Sequence, residues 1–211
     1  MSKVKIILIR VFSFLISCGA TVAVHYFITS NIMSRLGISS GISNILILLA
    51  QLIVIYVLTQ LLIFRKLTGI QKILLTSAYS ISVVSALFLR YSLYIIQFCF
   101  RGNLFARTFC WNPVSFIFDF FEYPFSLVTN LLNVALFIPL MPFLALYKRS
   151  PKWWVIIIGF VVIELLQVLL NCGLFDMGDI VLYTLGYLCG AGIVTMYKNR
   201  AEKVRLLQLP N

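Results

Sequence analysis

The sequence predicts an all-α, polytopic membrane bundle of six transmembrane helices, N-in and C-in, with an aromatic-rich interfacial segment between helices three and four. Composition is the first ground: 62% of the 211 residues are hydrophobic and 11% charged, at a mean hydropathy of +1.04. A 24.0 kDa soluble domain needs a polar skin that this composition does not supply. Apolar runs long enough to span hydrocarbon are the second ground, and basic residues gathered between those runs are the third. The formal charge of +11 is unaccompanied by a basic groove, an RNA-binding motif or zinc-ligand spacing, so nucleic acid is excluded as a partner.

The runs fall at about Ile6–Thr29, Asn44–Phe64, Ile73–Gln97, Leu127–Tyr147, Trp153–Leu170 and Asp179–Tyr197. With a cytoplasmic N-terminus, Lys3, Lys5, Arg10, Arg65, Lys66, Lys72, Lys148, Arg149, Lys152, Lys198, Arg200, Lys203 and Arg205 all lie inside. Of the 17 basic residues, that leaves Arg35, Arg90, Arg101 and Arg107 for the outer side or the membrane, as the positive-inside rule requires. The resulting organisation is three helices over residues 1–98, a second region over 99–197 with the interfacial segment and three more helices, and a basic cytoplasmic tail over 198–211.

Lys3, Lys5 and Arg10 precede an apolar stretch, and Leu15-Ile16-Ser17-Cys18 resembles a lipoprotein cleavage box. The apolar run continues well past Cys18, which makes it a retained helix. Five cysteines without CxxC spacing and the single histidine, His25, build no metal site, and no cofactor is expected. His25 reads as an interfacial side chain of the first helix.

The segment Phe98–Phe125 is dense in aromatic residues, broken by Arg101, Arg107, Asp119 and Glu122. Val114–Tyr123 reads as a short helix or re-entrant segment on the outer surface, started by Asn112-Pro113. An aromatic belt anchoring helices three and four explains the same composition without a ligand.

Glu164 and Gln167 stand one turn apart in an otherwise apolar fifth helix. A carboxylate there is expensive and marks a functional site. Counting inward from the outer end, Gln167 and Glu164 lie roughly 5 and 9 Å deep, level with Asn130 and Asn133 on the fourth helix. The short connection Lys148–Lys152 makes these helices antiparallel neighbours, so the facing pairs predict an outward-opening polar cleft. Asp176 and Asp179 stand where the sixth helix starts, where one of them caps exposed amides. Glu164, Asp176 and Asp179 would repel unless a cation, a proton or arginines intervene, and Arg90, Arg101 and Arg107 are the available partners. Gly186 and Gly190 form a GxxxG pattern suited to a helix-packing seam, within the chain or between two copies.

Asn112-Pro113, Asn130-x-x-Asn133-x-x-x-Phe137-Ile138-Pro139, Glu164-x-x-Gln167, Phe175-Asp176-x-x-Asp179 and Thr184-Leu185-Gly186-x-x-x-Gly190 follow one another in an order that resembles the VanZ-like family. The resemblance covers about Arg101–Tyr197. Gly173 stands where such proteins commonly carry an arginine, and Tyr183 where an asparagine is common. The resemblance implies a multi-pass cell-envelope protein of the bacterial cytoplasmic membrane, similar to one associated with low-level resistance to teicoplanin and related lipoglycopeptides.

Together these readings make Asn112, Asn130, Asn133, Glu164, Gln167, Asp176 and Asp179 the expected ligand-binding cleft, with no catalytic residue assigned. Its ligand would be a membrane lipid, a lipid-linked cell-wall precursor or a lipoglycopeptide. Two other classes remain open. One is a membrane enzyme using the carboxylates on a lipid head group, although no HExxH, serine–histidine pair or phosphate-binding glycine loop specifies a reaction. The other is a small-solute transporter or substrate-capture subunit.

Overall fold

Each apolar run closes its own backbone hydrogen bonds as a helix, the arrangement open to a single segment in hydrocarbon. The computed structural model describes residues 3–35, 41–88, 109–122, 126–149, 151–170 and 173–207. The chain divides into two units, Met1–Gln97 and Phe98–Asn211.

In the first unit, α1 (Lys3–Val24) runs through a π-helical turn (His25–Thr29) into α2 (Ser30–Arg35), followed by α3 (Gly41–Phe64) and α4 (Gly69–Phe88). α3 packs against both α1 and α4. Ser13, Ser17 and Thr21 form a buried stripe on α1, and each hydroxyl donates to the carbonyl four residues back. These polar side chains therefore remain inside a membrane bundle without losing their hydrogen bonds. Ser43, Ala50 and Val57 on α3, and Gln71, Ala78 and Ser85 on α4, are buried at intervals of seven. Ser43 and Ala50 on α3, and Ala78 and Ser85 on α4, are small enough to allow two helices in lipid to approach closely. His25 Nδ1 and Gln51 Oε1 are 3.0 Å apart, which ties the π turn to α3. His25, expected from sequence at an interface, thus has a helix partner.

The α3–α4 connection is a capping box: Gln71 Oε1 accepts from the Thr68 N–H at 2.8 Å, and Thr68 Oγ1 accepts from the Gln71 N–H at 3.3 Å. Arg65 ends α3 in the left-handed region, φ 52°, where its charge complements the negative helix end. Gln60 is 1% exposed, and neither its Nε2 nor its Oε1 has a hydrogen-bond partner among the described residues. Gln60→Leu, similar in size and free of orphaned polar atoms, is expected to stabilise the protein by about 1–2 kcal/mol, measured as a higher unfolding midpoint in detergent.

The second unit contains β1 (Phe109–Cys110), α5 (Ser115–Glu122), α6 (Ser126–Phe137), α7 (Leu140–Leu146), α8 (Trp153–Leu169), β2 (Phe175–Asp176) and α9 (Met177–Leu207). The short helix foreseen at Val114–Tyr123 is α5. The fourth run is not one continuous helix: it breaks at Ile138-Pro139, where proline removes a backbone donor. α9 packs against α5, α6, α7 and α8 and is the organising element of this unit. Its closest seam is with α6 and α7. A Cβ at Gly186 would collide with the Val134 carbonyl, and one at Gly190 with that of Ile138. Pro142 cannot supply the N–H that would normally engage Ile138 O, so Gly190 packs on a carbonyl left open by proline. Phe137, Phe160 and Tyr183 close the junction of α6, α8 and α9, with centroid separations of 4.9, 4.5 and 5.7 Å.

Five stretches are long and apolar enough to cross a bilayer: Val4–Ser34, Gly41–Phe64, Gly69–Phe88, Leu127–Leu146 and Met177–Glu202. Trp153–Leu169 is a shorter apolar helix of 17 residues, about 25 Å long and at the lower edge of what spanning needs. The last helix extends beyond the expected Tyr197 to Leu207, because Ala201, Glu202, Lys203 and Arg205 are strong helix formers. The expected end of the third helix at Gln97 lies outside the described residues.

Candidate functional site

The start of α9 collects the polar residues of the second unit. A two-residue parallel bridge pairs Phe109 with Phe175 and Cys110 with Asp176. Stacking of Phe109 on Trp111, with Phe175 about 5.3 Å from each ring, fixes that bridge. Asp176 then caps α9: its Oδ1 accepts the Gly178 N–H at 2.7 Å and the Ser115 hydroxyl at 3.0 Å. Glycine at 178 leaves room for this arrangement: a Cβ there would meet Ser115 Oγ and lie 3.0 Å from Asp176 Oδ1, disturbing their hydrogen bond. Asp179, in the first turn, accepts from Asn133 Nδ2 at 2.7 Å. Negative charge at this helix end is favoured by the exposed N–H groups.

Glu164 joins α8 to the same region. It is 0% exposed; one carboxylate oxygen accepts the Tyr183 hydroxyl at 2.8 Å and the other the Asp176 N–H at 3.1 Å. Gln167, one turn on, is buried beside Gly173, where any Cβ would press on the Gln167 side chain at 3.2 Å. Asn130 Nδ2 donates to the Phe116 carbonyl at 3.2 Å and so ties α6 to α5. Asn112 is exposed, and its Oδ1 accepts the Val114 N–H at 3.1 Å, a local turn that starts α5.

This arrangement differs from the cleft expected between the fourth and fifth helices. Asn133 and Glu164 do not address each other; both address α9, through Asp179 and Tyr183, which are one turn apart. Glu164 is enclosed by protein and holds β2 and α9 in place from beneath. Asn130, Asn133, Asp176 and Asp179 are half-buried. Arg90, Arg101 and Arg107, the expected charge partners, and Asn171 lie outside the described residues. Among the described residues no group of three His, Cys, Asp or Glu is arranged to hold a metal ion.

An apolar recess of about 310 Å³ is formed by α5, α6 and α9, the helices that also carry Ser115, Asn133 and the aspartates. Phe116 and Ile117 of α5, Leu127, Asn130, Leu131 and Val134 of α6, and Leu182 of α9 line it, and the surface they present is apolar. The two compartments share their supports. Ser115 bonds Asp176 while its neighbour Phe116 faces the recess, and Asn133 bonds Asp179 while Asn130 faces the recess.

Sequence reasoning missed three contributors. Ser115 carried no signal, whereas Gly178 between two aspartates hinted at a tight approach. Tyr183 stood out as a departure from the resembled family, and its hydroxyl proves to be the partner of Glu164.

The VanZ/LLP1 family model matches residues 76–198, from within α4 to the far part of α9. The match contains every candidate residue above. Comparisons with curated proteins and with solved structures returned no match. Several apolar helices of spanning length and a family match over more than half of its length together make this chain a multi-pass membrane protein that belongs to the VanZ/LLP1 family.

Proposed function

We propose that this protein sits in the bacterial cytoplasmic membrane with six spans and both termini inside. There it contributes to resistance against teicoplanin-type lipoglycopeptides by holding an amphipathic envelope molecule at the head of α9. A lipid-linked cell-wall precursor or the lipoglycopeptide itself has the required chemistry. The observation that supports this reading is that α5 and α6 carry both the hydrogen-bond partners of the two aspartates and the lining of the apolar recess. An amphipathic ligand needs both compartments within one molecular length. Carboxylates at a helix start favour N–H and O–H donors of a head group, and the recess removes a hydrocarbon segment from competition with bulk lipid. The positive-inside orientation puts the head of α9 on the outer side, where such ligands are exposed.

Teicoplanin binding to the purified protein in detergent tests the reading, with a glycopeptide lacking the acyl chain as comparison. Asp179→Asn is expected to weaken teicoplanin binding about tenfold through loss of a charge-assisted contact. Leu131→Trp, which fills the recess, is expected to abolish the advantage of the acylated compound and to lower teicoplanin resistance in a susceptible host. Equal binding of the two antibiotics, or wild-type binding by both variants, would rule the reading out.

A further inference from the structure

The first unit holds a second candidate site, independent of the one at α9. A groove of about 580 Å³ lies between α1, α3 and α4, within the range of about 300–1,000 Å³ that encloses small ligands. Phe14 of α1, Leu49, Leu52, Ile53 and Tyr56 of α3, and Leu74 of α4 give it apolar walls. Arg10 lines one end through its hydrocarbon stem, and as an exposed residue it carries its charge at the rim. α1 and α3 run antiparallel, as the Ser17–Thr59 and His25–Gln51 contacts show. Arg10 therefore lies towards the end where α1 begins and α3 finishes, the end that also carries Lys5, Arg65, Lys66 and Lys72. From Tyr56 the groove continues to Leu49, about 10 Å further along α3, away from those charges.

The charge pattern defines the occupant. All six acidic residues of the chain, Asp119, Glu122, Glu164, Asp176, Asp179 and Glu202, lie outside the first unit. Arg10 is exposed on a helix of spanning length, and its own unit contains no carboxylate to meet it. Level with the Arg65–Lys66 turn, Arg10 stands at the basic end of the helices, the depth at which lipid phosphates lie. Phosphate oxygens suit the planar fork of its guanidinium.

We propose that this groove binds one anionic phospholipid of the leaflet on the basic side, its phosphate on Arg10 and an acyl chain along Phe14, Leu52, Ile53 and Tyr56. Head and tail of the lipid match the two ends of the groove in order and in direction. A zwitterionic lipid offers the same chains and a phosphate whose charge is offset, so the site discriminates by net charge.

Native mass spectrometry of the full chain in detergent, titrated with phosphatidylglycerol and with phosphatidylcholine of the same acyl chains, tests this. One phosphatidylglycerol is expected to bind about fivefold or more tightly than phosphatidylcholine. Arg10→Gln is expected to remove that preference, while Arg65→Gln keeps it. Leu52→Trp and Ile53→Phe obstruct the groove without altering charge, and each folded variant is expected to bind phosphatidylglycerol more weakly. An unchanged preference in Arg10→Gln would overturn the proposal. So would full binding by both groove-filling variants, because the attraction would then belong to the basic end in general. The site at α9 stands or falls separately.

Discussion

Glu164→Ala is expected to lower unfolding free energy by about 2–4 kcal/mol. The carboxylate is fully buried and accepts from two donors on different elements, the Tyr183 hydroxyl and the Asp176 N–H. Truncation strands both donors and leaves a void between α8 and α9. Hydrogen bonds inside membrane bundles are individually modest, about 1 kcal/mol, so the void and the stranded donors together set the size of the effect. Glu164→Gln keeps the volume and one acceptor oxygen and should lose about 1 kcal/mol. Guanidinium or SDS titration of the purified protein, followed by tryptophan fluorescence, reads both. An Ala variant with a wild-type midpoint would show that Glu164 does not hold this junction. Because Asp176 and Asp179 are positioned through β2 and the first turn of α9, Glu164→Ala should also weaken the proposed teicoplanin binding through displaced geometry. Asp179→Asn acts at the contact itself, and its unfolding midpoint should move far less.

Much of this architecture is legible in residue order. Apolar run length gave the helices, and the Asn112-Pro113 turn placed α5 correctly, because turn chemistry is local. The polar pairs Asn130/Asn133 and Glu164/Gln167 were also visible, since hydrophilic side chains stand out in spanning segments. Their partners were not. A short connection between the fourth and fifth runs makes those helices antiparallel, but it does not fix which third helix wedges against them. The glycines of α9 decide that question, because they bring α9 onto the α6–α7 backbone more closely than bulky residues allow. Glu164 illustrates a second limit. Its position signals a polar environment, which protein donors satisfy as well as water does, and no pattern in the fifth run distinguishes the two. The break at Ile138-Pro139 was present in the sequence as two prolines three residues apart, although helices in lipid often tolerate proline without interruption.

Replacing Gly186 or Gly190 by alanine should cost about 1–3 kcal/mol each, against the ordinary preference of helices for alanine. The glycine penalty within a helix is about 1 kcal/mol, so at an open position the same change stabilises. Gly192 provides that control on the same helix: nothing lies within 4 Å of its added Cβ. At Gly186 the new carbon meets the Val134 carbonyl, with Phe137 Cβ at 3.1 Å; at Gly190 it meets the Ile138 carbonyl, with Pro142 Cδ at 3.3 Å. The nearest obstacles are backbone atoms, which have no rotamer through which to escape. α9 must therefore move away from α6 and α7, and the Asn133–Asp179 bond and the Phe137–Tyr183 ring contact lie along the same seam. The double variant should consequently lose stability and, with it, the proposed teicoplanin binding, while Gly192→Ala gains or keeps stability. Light scattering of the detergent-solubilised protein should give the same mass for all four variants and wild type, because this seam lies within one chain. A Gly186→Ala midpoint equal to that of Gly192→Ala would mean that the close approach does not hold the two helices together.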